Sequence, residues 1–306
     1  MGLRRGFTSI MLSRREFLQN TATIAAGAAI VPNLAFGGTD EKPIGLQLWS
    51  VRDALKENFD GTIKAIAKTG FNYVEGFGYE KGLWFGKNVK EMRMILKDWE
   101  LKMPSSHLTF KSEHFDTKTK TVTDEWKKAV DDALKVGQRY LISPWTDEKE
   151  RVNLDTYKAF VEKLNICGAY CKTQNLKFGY HNHWFEFDKI GDEVMYDVLI
   201  KGTESQNVVM EMDVCWVNYA KNNPIEWFKK YPGRFELLHM KDLVEDAETT
   251  QEATAIIGEG VVDFEEIIKN ARKGGVKMYI CELENYNKSS VDDVKVSYKA
   301  LKKLLK

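Results

Sequence analysis

From Pro43 onward the chain alternates short apolar runs with amphipathic stretches eight times, and this repetition limits the fold more than any single motif. The apolar runs read as strands at Ile44–Trp49, Phe71–Glu75, Lys102–His107, Arg139–Ser143, Lys177–His183, Asn207–Asp213, Phe235–Met240 and Lys277–Glu282. Predicted helices follow them at Asp53–Thr69, Val89–Glu100, Thr123–Val136, Leu154–Gln174, Glu193–Ile200, Pro224–Tyr231, Asp263–Lys273 and Val291–Leu305. Strict alternation of this kind predicts a parallel sheet. Eight units in the span 42–306 match the roughly 250 residues of a closed (β/α)8 barrel. An open doubly wound sheet would carry a glycine-rich phosphate loop after its first strand. Here the first strand runs into Gln47-Leu48-Trp49-Ser50-Val51-Arg52, which has no such loop. The expected class is α/β, a single-domain barrel.

A barrel of this type works at the carboxyl ends of its strands. His181 and His183 stand two apart at the end of the fifth run, in YHNHWFEF, and therefore face one side. Taken alone, two such histidines fit a metal site or an ordinary hydrogen-bonded pair equally well. The other strand ends contribute Gln47, Glu75, His107, Glu211, Asp213, His239, Lys241, Glu282 and Glu284. Unpaired buried carboxylates are costly, and a divalent cation would neutralise several at once. Mixed nitrogen and oxygen donors suit manganese, zinc, cobalt or iron better than calcium. Trp49, Phe77, Trp84, Trp145 and Trp216 fall near strand ends or loops, where they can face a sugar or simply pack the core.

Composition narrows the function. Lys plus Arg and Asp plus Glu both number 45, so the formal net charge is zero and there is no basic surplus for nucleic acid or an anionic membrane. The four cysteines, Cys167, Cys171, Cys215 and Cys281, contain no CxxC pair and read as buried free thiols.

The stretches IGLQLWSVRD, YVEGF, SSHL, YHNHWFEF, MEMDVCW, LLHMKD, GEGVVDF and YICELE, in this order and spacing, resemble the xylose isomerase-like TIM barrels that include sugar phosphate isomerases and epimerases. The resemblance runs from Lys42 to the C-terminus. It implies one divalent ion held by strands five to eight, here His181, Asp213, His239 and Glu282, with His183 as the reserve ligand. Most epimerases of the family have glutamate where this chain has His181. In them the first and last glutamates act as a pair of bases on opposite faces of the substrate, so the two-base mechanism is in doubt here while proton abstraction by Glu282 stands. The implied reaction is removal of a proton alpha to a sugar ketone through a metal-stabilised enediolate, ending in isomerisation, epimerisation or elimination. His183, Lys241 and His107 are the further catalytic candidates. Gln47, Glu75, Trp49, Trp216, Glu186 and Glu284 are the expected substrate contacts. Isomerase or epimerase is the leading expectation. A lyase or hydratase acting on 3-keto-glycosides or their enones is the alternative, and a non-catalytic carbohydrate-binding barrel the second alternative. A DNA-cleaving barrel is disfavoured by five histidines and zero net charge.

Ahead of the barrel, Ser13-Arg14-Arg15-Glu16-Phe17-Leu18 precedes a weakly apolar run, Thr21–Val31. It resembles a twin-arginine export signal over residues 1–38 and is too short to span a membrane. The expected location is periplasmic, without stable membrane insertion. The expected partner is a small sugar, unphosphorylated, with a homo-oligomer open.

Overall fold

Eight strands pair in parallel around a closed ring: β1 (Ile44–Gln47), β2 (Tyr73–Gly76), β3 (Lys102–His107), β4 (Tyr140–Ser143), β5 (Lys177–His181), β6 (Val208–Asp213), β7 (Phe235–Met240) and β8 (Met278–Cys281). Each pairs with its sequence neighbours, and β8 closes the ring against β1. This computed structural model describes residues 42–287 and 289–306, and the export signal expected at 1–38 lies outside them. The helices are α1 (Arg52–Glu57), α2 (Phe59–Thr69), α3 (Val89–Asp98), α4 (Asp124–Val136), α5 (Leu154–Thr173), α6 (Met195–Gly202), α7 (Val214–Tyr219), α8 (Pro224–Lys230), α9 (Phe264–Gly274) and α10 (Ser290–Leu304).

Helix α9 shows how a helix of the outer ring is specified. Phe264, Ile267 and Ala271, spaced three and four apart, are its buried stripe. Burying a side chain such as Ile267 contributes about 2 kcal/mol. The Asp263 side chain accepts the Glu266 N–H at 3.0 Å and caps the helix start.

The structure departs from the sequence reading at identifiable places. The helix expected over Asp53–Thr69 is two helices. The Asn58 side chain accepts the Gly61 N–H at 2.9 Å and starts a second helix, because asparagine competes with the backbone for such bonds. Strand β1 stops at Gln47 and β5 at His181, each giving way to loop or 3-10 structure. Strand β3 carries one extra residue against β2 where Pro104 lacks a ladder N–H. Four two-residue hairpins also decorate the loops after β2, β3, β5 and β7, all on the carboxyl side. Among the described residues no helix is long and apolar enough to cross a membrane.

Candidate metal and active site

Strand register assembles the site. Glu211 of β6 lies beside His181 of β5, and Asp213 lies beside His239 of β7. One level lower, Gln47 pairs with Glu75, and Glu75 with Ser105. At the upper level one donor atom from each of His181, Asp213, His239 and Glu282 lies within 4.8 Å of the others, and all four residues are buried.

The hydrogen bonds of the two imidazoles fit a cation. His239 sets Nε2 against Glu75 Oε2 at 2.6 Å and turns Nδ1 to Glu282 Oε2 at 2.9 Å. His181 sets Nδ1 against Glu211 Oε2 at 3.1 Å and turns Nε2 toward Asp213 Oδ2 at 3.8 Å. Each ring therefore has one nitrogen on a supporting carboxylate and one in the quartet, the arrangement that orients metal-binding histidines. Asp213 divides its oxygens in the same way. Oδ1 accepts the N–H groups of Cys215 and Trp216 at 2.9 and 3.2 Å and so caps α7. Oδ2 turns to the site, 2.8 Å from Lys241 Nζ. Two imidazoles and two carboxylates are a donor set for zinc, manganese, cobalt or iron.

A layer of carboxylates supports the quartet. Glu75 accepts from Gln47 Nε2 at 2.9 Å and Ser105 Oγ at 2.6 Å besides His239. Burial works against its charge, yet His107 and His239 hold it well below the usual carboxylate range. Glu211 is pushed up to about 7 by burial and by the neighbouring Glu75 charge. Its Oε1 is buried without a hydrogen-bond partner. His107 reaches Glu211 Oε2 at 2.7 Å. Burial opposes the imidazolium, but Glu75 and Glu211 raise His107 to about 9.

Lys241 is wholly buried behind the quartet. Its ammonium meets Glu282 Oε2 at 2.6 Å and Glu284 Oε1 at 2.6 Å, and lies 5.0 Å over the Trp216 ring. Burial resists the charge, but Asp213, Glu282 and Glu284 keep it protonated, well above the ordinary lysine range. Burial and Lys241 lower His183 to about 3, which leaves a neutral imidazole among Trp145, Phe185 and Trp216.

A cavity of about 910 Å³ opens above these groups, with His107, His181, His183, Glu282 and Glu284 on its wall. On its wall Trp49 and Phe77 pack edge to face, and Trp145, Trp184 and Trp216 form a second aromatic cluster.

Residues 63–304 match the model of the xylose isomerase-like TIM barrel. The chain belongs to that family. Among curated proteins it is similar to inosose dehydratase of Clostridium botulinum strain Alaska E43, 26% identical over 255 residues, which cover 74% of this chain and 82% of the relative. The Clostridium beijerinckii inosose dehydratase is 25% identical over the same shares. Among solved structures, a sugar phosphate isomerase/epimerase from Parabacteroides distasonis is 27% identical, with a TM-score of 0.74 over 89% of this chain and 97% of that one. The IOLI protein with a bound zinc atom shares the fold, with a TM-score of 0.68 at 16% identity over 86% of this chain and 98% of that one.

Within this family barrel, the quartet expected to share a cation converges, and Glu282, His183 and His107 reach the cavity together with Trp49, Trp216 and Glu284. Three expected substrate contacts do not. Gln47 and Glu75 lie one layer beneath the histidines and serve as their support. Glu186 is buried and holds the loop after β5, accepting from Tyr180 Oη at 2.6 Å and from the His183 N–H at 2.8 Å. Burial raises it to about 7. Lys241 likewise does not line the cavity and acts on Glu282 and Glu284 from behind. Glu211 stood among the inward strand ends, but its role as the partner of His181 depends on height within the barrel, which strand parity does not encode. Trp84 is core, packed on Tyr79.

Proposed function

We propose that this chain is a divalent-metal-dependent lyase of six-membered keto-sugars, removing a proton alpha to the ketone and expelling the beta substituent, with hydration of the enone as the reverse direction. The observation that carries this reading is the asymmetry between Glu282 and His181. Glu282 lines the cavity, and both its contacts, with His239 and Lys241, fall on Oε2. Oε1 is left to take a proton. His181 has one nitrogen on Glu211 and the other on the Asp213 side, so it has none to act as a second base. Two-base epimerisation needs that second group, whereas elimination needs one base on the carbon. The dehydratase names of the curated relatives support the same direction.

A divalent ion in the quartet would supply the Lewis acid that polarises the ketone. The protein's own residues do the rest. For a 3-keto-glycoside, Glu282 takes the C2 proton, the C2–H electrons become the C1–C2 double bond conjugated with the ketone, and the C1–O pair leaves on the glycosidic oxygen. That oxygen gains one proton and departs as the alcohol. Neutral His183 offers a hydrogen bond within the cavity, and the tryptophans flank the ring.

The substrate is read as unphosphorylated. In barrels of this kind phosphate sits on the N–H groups of the last loops. Here the Asp242 carboxylate takes them, accepting from Leu243, Gly258, Gly260 and Val262 at 2.8–3.0 Å. Gly258 has φ +94, and a side chain on Gly260 would run into Asp242 itself. Twin-arginine export, part of this same reading, puts the reaction in the periplasm, away from phosphorylated metabolites. The test is a parallel assay of metal-loaded protein on 3-keto-glucosides, free ketoses and ketose phosphates. Aglycone release from the first set is expected. Turnover confined to ketose phosphates overturns the reading.

A further inference from the structure

The cavity is larger than the reaction at its floor requires. Pockets of 300–1,000 Å³ enclose ligands of drug size, and a single hexose ring fills only a small part of 910 Å³. The surplus has a definite place. The reactive end is built from strand ends, chiefly His181, His183 and Glu282. The remainder is lined by Thr109 and Glu113 from the loop after β3, by the Phe77–Gly82 turn after β2, and by Glu125 and Lys128 on α4. Helix α4 belongs to the outer ring, so the cavity leaves the barrel axis and runs outward over the mouth of β3.

The outer wall is fixed in place. Tyr79 Oη donates to Asp132 Oδ2 at 2.7 Å, and Lys128 Nζ meets the same oxygen at 2.6 Å, which ties the hairpin after β2 to α4. Phe77 is locked between Trp49 and Phe85, both edge to face at 5.1 and 4.9 Å between ring centres. The groove thus has an aromatic wall near the reactive end and charged side chains farther out. That combination suits a ring with apolar faces and hydroxyls at its edge.

We propose that this outward groove is a subsite for the departing group, and that it takes a second six-membered ring, either a phenolic ring or a second sugar. The proposal rests on the elimination reading, because only a substrate that carries a leaving group needs such a subsite. It makes the preferred substrate a 3-keto-glycoside with a ring-bearing aglycone rather than a free ketose.

Binding tests it without turnover. Affinities of methyl glucoside, phenyl glucoside and a glucose disaccharide, none carrying the ketone, are measured on the purified protein by calorimetry. Phenyl glucoside or the disaccharide is expected to bind at least tenfold more tightly than methyl glucoside, and which of the two does so identifies the source of the ring. Thr109→Trp, which fills the groove, is expected to collapse that ratio toward one. Phe77→Ala, which removes the wall, does the same by a second route should the tryptophan variant fail to fold. Equal affinities in the wild type, no binding of either ring-bearing probe, or an unchanged ratio in both variants overturns the subsite. Turnover of methyl 3-keto-glucoside is scored separately. Turnover with equal affinities sinks the subsite and leaves the lyase. Tenfold selectivity without turnover sinks the lyase and, with it, the departing-group role, leaving only a binding site for a second ring.

Discussion

The two ends of the barrel handle buried charge in opposite ways. At the amino end, Glu236 of β7 accepts from Lys177 at 2.6 and 2.7 Å, from Lys277 at 2.8 Å and from Tyr140 Oη at 2.7 Å. One carboxylate has three donors, two of them lysines that keep contact with solvent. At the carboxyl end, Glu75, Glu211, Asp213 and Glu282 crowd around His107, His181, His239 and Lys241, all buried or nearly so. There, Glu211 Oε1 and His183 Nδ1 are buried with no partner. The amino end satisfies its carboxylate completely, while the carboxyl end crowds ionisable groups together and leaves buried polar atoms without hydrogen-bond partners. Substitutions at the two ends should therefore fail in different ways.

The largest effect is expected at Asp213. Asp213→Asn retains an oxygen for the α7 cap while removing a charged ligand, and metal retention should be lost in elemental analysis of the purified variant. Asp213→Ala should lose the metal too, and about 1 kcal/mol of stability besides through the missing cap. Full metal content in either variant contradicts the quartet. Next come the supporting carboxylates. Glu75→Gln and Glu211→Gln should weaken metal affinity by about 10–100-fold, as measured by chelator competition, because they orient His239 and His181. An unchanged affinity would remove them from that role.

Glu236→Gln is the counterpart at the other end. It should cost about 1–3 kcal/mol in denaturant melts and leave kcat unchanged. The smallest effect is in acid. Burial would raise Glu236, but Lys177, Lys277 and Tyr140 hold it below the ordinary 4.5. Lys177 moves down rather than up, because its own burial outweighs Glu236, so the pair stabilises through the carboxylate. A depressed carboxylate contributes its stability above the ordinary value and loses it as pH falls through the folded one. The wild type should thus lose more stability than Glu236→Gln as pH falls below the ordinary 4.5, and parallel acid limbs in the two proteins would exclude this contribution.

The parts of this contrast differ in how readable they were from sequence. The barrel was legible because it follows from strand alternation. Parity turns His181, Asp213, His239 and Glu282 inward near their strand ends, but it does the same for His183 and Glu284, and the resemblance to the family singled out the four. Parity gives the face but not the height, so Gln47 and Glu75, expected beside substrate, lie a layer below the histidines and off the cavity wall. Glu186 was out of reach for another reason. It sits in a 3-10 turn and its partners, Tyr180 and the His183 N–H, are set by loop geometry. The short strand pair that brings Tyr79 and Glu80 to the cavity wall has only two residues per strand, too few for any periodic signal. The filling of the Gly258–Val262 nest by Asp242 joins segments some twenty residues apart, which spacing alone does not pair.

Single-base elimination at Glu282 is tested most directly by proton magnetic resonance of metal-loaded protein with a 3-keto-glucoside in D2O, wild type beside Glu282→Gln. Aglycone release by the wild type, with neither release nor C2 exchange by the variant, is the expected result. Recovery of a C2 epimer with the glycosidic bond intact, or full C2 exchange by Glu282→Gln, would contradict single-base elimination at Glu282.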